Sequence, residues 1–271
     1  MHAQVLQALR DIEARHNVAV LFACESGSRG WGFASPDSDY DVRFIYVNRL
    51  PWYLTVTPGR DVIEAPISGD LDINGWDLRK ALGLMRESNP TLLEWLGSPI
   101  VYREEADTMA QFRALAGQVF SNAKGWHHYA SMAKKNFREH LQADEVRYKK
   151  YLYVLRPLLA ARWIRTQPGV PPMRFAELAQ HTLHPVHDAA LVDEINALLE
   201  VKMRAGEAAT SPRWPGIHAF IEAELARNAA EPVQPLPVPV PVPGHAALDA
   251  LLHHTVLRFS HRTVSAAEAS P

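Results

Sequence analysis

The stretch that most constrains this 271-residue chain is GSRGWGFASPDSDYDVRFIYV, residues 27–47. Ahead of it, VAVLFACE (18–25) is an apolar run of strand length, of the kind covered on both faces. At its far end DVRFIYV (41–47), rich in β-branched and aromatic residues, predicts a second strand. Between the two lie Gly27, Gly30 and Gly32, with Ser28 and Arg29 among them. Glycine allows positive φ and exposes backbone N–H groups, so a loop of this kind leading toward a helix can cradle a phosphate. Arg29 can contact that phosphate or pair with Glu25, and Trp31 and Phe33 read as packing residues that hold the loop.

The polar part closes on Asp39 and Asp41. Residues two apart in a strand share a side, so these carboxylates converge. The simplest reason to tolerate their repulsion is a hard divalent cation; Mg²⁺ takes carboxylate oxygens together with substrate phosphates. The competing reading of SPDSDYD is a polar turn. A third carboxylate on a neighbouring strand would complete the site. DLDINGW (70–76) predicts such a strand and offers Asp72, with Asp70 a weaker candidate; Asp77 reads more simply as the N-cap of a helix over 77–88. Two metal ions between such carboxylates can activate an attacking oxygen and stabilise a leaving pyrophosphate. That is phosphoryl or nucleotidyl transfer, and neither a Cys/His metal pattern nor a Ser-His-Asp arrangement competes with it.

Composition bounds the rest. With 47% hydrophobic residues the chain can bury a sizeable core, as one large domain or two small ones. Cys24 is the single cysteine, so no internal disulfide can form, and a reducing cytoplasm is the expected setting. The N-terminal residues are amphipathic, helical over 3–16, without the apolar core of a signal peptide, and no apolar run is long enough to span a bilayer. A net charge of −2 requires any nucleic-acid contact to come from a local patch. One candidate patch is Lys134, Lys135, Arg138, Arg147, Lys149, Lys150 and Arg156, in which Lys149, Tyr153 and Arg156 share a helix face. A solvated helix face is the bland reading; a triphosphate clamp with a path for a polyanion is the functional one. Pro157 is expected to kink that helix, Lys80 can reach the site from the helix after Asp77, and Trp76, Trp95 and Cys24 read as core.

The pattern changes near residue 103, which predicts an α+β protein: strands and helices over 1–103, then a helical domain over 104–230. EPVQPLPVPVPVPG (231–244) alternates proline with valine and leucine and predicts an extended polyproline II linker, and 245–262 predicts a C-terminal helix.

Gly27-Ser28, ten residues, then Asp39-x-Asp41 before an apolar strand resembles the signature of the DNA polymerase β nucleotidyltransferase superfamily. Together with GWDLRKAL (75–82), NPTLLEWL (89–96), SPIVY (98–102) and KKYLYVLRPLLAARW (149–163), it is similar to a bacterial and phage branch described as nucleotidyltransferases linked to RNA repair. The resemblance implies a small mixed β-sheet, the catalytic nucleotidyltransferase domain, carrying three carboxylates, and a helical domain that closes over the nucleotide. By that carry-over Gly27 and Ser28 hold the NTP phosphates, and Asp39 and Asp41 bind both of two Mg²⁺ ions, with Mn²⁺ as a substitute. Asp72 is the third carboxylate and the base for the attacking hydroxyl. Lys149 or Lys150, with Tyr153, meets the triphosphate and base of an NTP such as ATP. The implied acceptor is an RNA end, tRNA-like. A small molecule or a protein side chain is the alternative acceptor, and a non-catalytic nucleotide- or RNA-binding module is the alternative class.

Overall fold

The computed structural model describes residues 1–67, 69–206, 209–233 and 245–260. In chain order it begins with α1 (His2–His16), β1 (Ala19–Glu25), α2 (Gly27–Trp31), β2 (Tyr40–Val47), α3 (Leu50–Tyr53), β3 (Val62–Glu64) and β4 (Leu71–Asp77). There follow α4 (Leu78–Arg86), α5 (Pro90–Leu96), β5 (Val101–Glu104), α6 (Ala106–Val119), α7 (Asn122–His140), β6 (Glu145–Arg147) and α8 (Tyr148–Thr166). The last elements are α9 (Phe175–Thr182), α10 (Ala189–Arg204), β7 (Thr210–Pro212), α11 (Pro215–Ala230) and α12 (His245–Ser260). The protein is thus α+β, as the sequence predicts.

Five strands form one mixed sheet in the order β3-β4-β2-β1-β5. β1 runs antiparallel to β2 and β5, β3 antiparallel to β4, and β2 parallel to β4. Alternation along β2 sorts its side chains. Val42, Phe44 and Tyr46 join Val5, Leu9 and Ile12 of α1 in one core. Ile45 and Val47 face the opposite way, into a core built with α4, α6 and α12. Each fully buried aliphatic of this kind contributes about 1.5–3 kcal/mol. The same period of two puts Asp41 and Arg43 on the α4 face, at the end of β2 nearest its start. Gly75 of β4 is demanded by packing, since a Cβ there would lie 2.2 Å from Phe44 Cε2.

α7 to α11 enclose a separate core, which also takes in Phe33 and, at its margin, Trp31. α6 and α12 pack on the sheet instead. The packing divide therefore falls near residue 120, whereas the change of sequence pattern falls near 103: α6 reads as part of the helical run because its periodicity does not tell what it packs against. β6 and β7 pair inside the region read as helical. They are three residues each, too short for a period of two to register.

Pro157 lies inside α8. It has no N–H to give the carbonyl four residues earlier, and the Asn136 side chain of α7 donates to that Tyr153 carbonyl at 2.9 Å instead. Asp77 caps α4 as expected, accepting from the Arg79 amide at 2.8 Å. It is fully buried, where it also receives Asn48 Nδ2 and the Tyr53 hydroxyl. From residue 234 the expected polyproline linker lies outside the described residues, as do the last two residues of the expected 245–262 helix.

Candidate active site

β2 and β4 run parallel in a register that sets Asp41 directly beside Asp72. Both point to the α4 face by alternation. Between them stands a residue that was read only as part of a strand: Arg43 Nη2 donates to Asp41 Oδ1 at 2.9 Å and to Asp72 Oδ2 at 2.8 Å. Its Nη1 donates to the carbonyls of Val42 at 3.1 Å and Asp72 at 3.2 Å. Asp41-x-Arg43 at alternating positions is the signal that would have found it, since period two puts both side chains on one face of β2.

Asp39 precedes β2 and is exposed. Its carbonyl, with that of Ser38, accepts from the Arg29 guanidinium at 3.2 and 2.7 Å, and the same guanidinium lies over the Tyr40 ring. Arg29 thus braces the loop that carries Asp39. Asp70 contributes a backbone carbonyl, which receives the Tyr40 amide at 2.7 Å. Among the described residues, no three His, Cys, Asp or Glu side chains are gathered as a ready-made metal cage. The structure brings Asp41 and Asp72 together and leaves Asp39 exposed in the loop before β2.

The Gly-Ser segment folds as the short helix α2 rather than an open loop. Gly27 and Gly32 take positive φ, +56° and +91°. Gly27 has a second reason to lack a side chain: a Cβ there would lie 2.0 Å from Asp41 Oδ2. The carboxylate therefore rests against the start of α2. Gly30 has normal φ but is crowded, with Met173 Cε at 2.5 Å and the Glu25 carbonyl at 2.8 Å from its would-be Cβ.

Sequence reasoning names Glu25 only as a partner for Arg29 and misses its part in the site. It is fully buried at the end of β1, and its carboxylate accepts from the Asp41 amide at 2.8 Å and from the Tyr102 hydroxyl. Burial pushes its carboxyl above the ordinary range, and the two hydrogen bonds pull the other way. The Glu25 side chain thereby holds the backbone of β2 at the residue that carries Asp41. Cys24, next to it, is buried, and burial pushes its thiol far up, which leaves it inert as a nucleophile.

The helical half meets α2 through Trp31. Its indole N–H donates to Glu94 Oε2 at 3.2 Å, its ring meets Tyr153 edge-on with centroids 5.5 Å apart, and Arg156 lies over it at 5.0 Å. Arg156 is buried, paired with Glu94 and donating to the Met173 carbonyl. It is thus a strut and no part of a basic path, which corrects its place in the cluster read from sequence. Lys150 approaches His140 Nε2 at 3.2 Å and lies over the Tyr153 ring at 5.3 Å. Burial first, then Lys149 and Arg147, holds its ammonium below the ordinary range. Lys134, Lys135, Arg138 and Arg147 are exposed. Lys80 pairs with Asp61 at 3.1 Å. Lys202 of α10, also missed, is buried with its ammonium 3.2 Å from Ser35 Oγ and 3.4 Å from Ser38 Oγ, and so pins the Asp39 loop from the bundle. Among the described residues no helix is long and apolar enough to cross a membrane.

Comparison with known proteins bears on this arrangement. Residues 1–254 match the model of the RNA repair pathway DNA polymerase beta family. The chain is 47% identical over 227 residues to the uncharacterized protein YcgL of Bacillus subtilis (strain 168), covering 84% of this chain and 86% of that one. A nucleotidyltransferase-like protein from Exiguobacterium sibiricum 255-15 aligns over 94% of this chain and 76% of its own, at 14% identity and a TM-score of 0.29, too distant to carry an argument.

Proposed function

Because this chain belongs to the RNA repair pathway DNA polymerase beta family, we propose that it is a nucleotidyltransferase that moves an NMP from an NTP to an acceptor hydroxyl at an RNA end. The observation that carries the reading is the in-register pair Asp41 and Asp72 on parallel strands, with the Asp41 carboxylate against the Gly27 backbone. That contact joins a carboxylate centre to a glycine turn, as transfer from a triphosphate requires.

The donor set fits Mg²⁺. Asp41 and Asp72 offer hard oxygens that already converge on one cationic nitrogen, and Asp39, exposed in the loop before β2, is the further carboxylate. Bound there, divalent cations supply neutralisation of triphosphate charge and a more acidic attacking hydroxyl. The chain's own residues do the rest. Gly27 and Ser28 at the start of α2 receive the phosphates, and Arg29 keeps the Asp39 loop closed beside them. Asp72 takes the proton of the acceptor hydroxyl. Lys149, Lys150 and Tyr153 approach the nucleotide from α8, and the depressed basicity of Lys150 is what partial burial of an ammionium beside other cations produces. The exposed Lys134, Lys135 and Arg138 of α7 give the acceptor strand a cationic surface whose contribution falls with salt.

The test is a transfer assay. Protein is incubated with each α-phosphate-labelled NTP, Mg²⁺, and bulk RNA or bulk protein, beside the Asp39→Ala/Asp41→Ala double variant. Label in RNA that vanishes in the variant is the expected result and names the nucleotide. Label in protein alone moves the reading to a protein-modifying enzyme, and full activity in the double variant removes the mechanism.

A further inference from the structure

The Asp41–Asp72 pair is already neutralised from within the chain. One nitrogen, Arg43 Nη2, sits 2.9 Å from Asp41 Oδ1 and 2.8 Å from Asp72 Oδ2. A single charge-assisted donor between two carboxylates stands where a shared cation would be coordinated. The guanidinium does not depend on the carboxylates for its place, because Nη1 is tied to the Val42 and Asp72 carbonyls at 3.1 and 3.2 Å. The contact is also open to water: the Arg43 side chain is 18% exposed, Asp41 30% and Asp72 36%.

We propose that Arg43 is a resident counter-ion of the catalytic carboxylates: it holds Asp41 and Asp72 in facing register while no divalent cation is present, and yields them to the cation when it binds. The inference rests on the metal reading above. Two consequences follow from charge alone. Without Arg43, two carboxylates on adjacent strands face each other unscreened, which costs the cation-free protein stability. With Arg43, Asp41 and Asp72 already carry a positive charge that would compete with Mg²⁺ for their oxygens, which would cost affinity. Arg43 is accordingly a positioning residue: it acts through Asp41 and Asp72, and its effect appears in a protein that is not turning over.

The experiment uses the whole chain without nucleotide. Mg²⁺ is titrated calorimetrically into the wild type, Arg43→Met and Arg43→Lys, and each is melted in chelator and in excess Mg²⁺. Methionine keeps the aliphatic volume and removes the charge; lysine keeps the charge and loses the Nη1 tether. For Arg43→Met the expected result is about tenfold tighter Mg²⁺ binding, the order set by one like charge a few ångströms away in a partly screened site. Its melting temperature should fall in chelator and be restored by Mg²⁺ more than that of the wild type. Arg43→Lys should lie between the two, and it decides the question alone if the methionine variant does not fold. Equal Mg²⁺ affinity and equal melting in all three proteins would overturn the proposal while leaving the metal reading intact. Absence of Mg²⁺ binding in every protein, with a melting temperature insensitive to the ion, would remove both.

Discussion

The joint between the sheet and the helical bundle, and the open lip of the sheet, are each organised by an arginine among carboxylates. At the joint Arg156 is 2% exposed, its partner Glu94 is 9% exposed, and Trp31, Met173 and the pair itself use up their polar atoms. At the lip Arg43 holds Asp41 and Asp72 with water alongside. Burial decides what each can be. A buried pair cannot exchange partners without stranding a charge in a low-dielectric interior, so it behaves as a fixed strut. A half-open pair loses little when one partner leaves, because water replaces it. The same chemistry thus serves as scaffold in one place and as an exchangeable seat in the other.

That contrast is most directly broken by removing each arginine. Arg156→Ala leaves Glu94 buried without its cation and should cost about 3–5 kcal/mol in urea unfolding, whereas Arg43→Met should cost about 1 kcal/mol or less. Equal costs would erase the distinction. Asp41→Asn tests it from the chemical side. Loss of several kcal/mol of charge stabilisation predicts a drop of about a thousandfold in transfer rate, with the urea midpoint close to wild type; a collapse in stability as large as that of Arg156→Ala would make the lip structural too. Gly27→Ala should be milder, about a hundredfold in kcat, because the new methyl pushes Asp41 Oδ2 from 2.0 Å and strains a φ of +56° without removing the carboxylate. Gly83→Ala on α4, where the methyl meets nothing within 4 Å, is its control and should gain about 0.5–1 kcal/mol of stability. The smallest effect is a titration. Burial and then Lys150 hold the His140 pKa below its ordinary value. The folded protein therefore binds fewer protons there than the unfolded chain, and stability is lost as pH falls below that ordinary value. Lys150→Met should raise the His140 midpoint by NMR and shrink that loss; an unmoved midpoint would take Lys150 out of its neighbourhood.

The sheet was legible wherever side-chain alternation and apolar runs carry the information. β1, β2 and β4 stand within a residue of where VAVLFACE, DVRFIYV and DLDINGW put them, and the Asp77 cap follows from its place before a helical run. Asp72 could be named as the right residue type, but its position opposite Asp41 depends on a parallel pairing that no local pattern specifies. Partners far apart in sequence were invisible for the same reason. Arg156 reads as one more cation of a basic cluster because Glu94 lies 62 residues away. Lys202 carries no local signal, because its seat against Ser35 and Ser38 belongs to a loop more than 160 residues earlier. Arg43 is hidden differently: its signal is local, but an arginine inside DVRFIYV reads only as part of a strand until the face it shares with Asp41 is counted.

α12 carries a consequence of another kind. It closes the core beneath the five-stranded sheet with Leu248, Leu251, Val256 and Phe259, and its end is fastened to residues 49 and 50: Arg49 donates to the Phe259 carbonyl and the Leu50 amide to Ser260 Oγ at 2.9 Å, across 210 residues of chain. On a ribosome adding about 5–20 residues per second, those partners are made roughly 10–40 s apart. During that interval the whole bundle from α7 to α11 is synthesised while the core under α4 and α6 still lacks the apolar face of α12. The chain's birth, rather than its working life, is when that surface is exposed to chaperones and to misassembly.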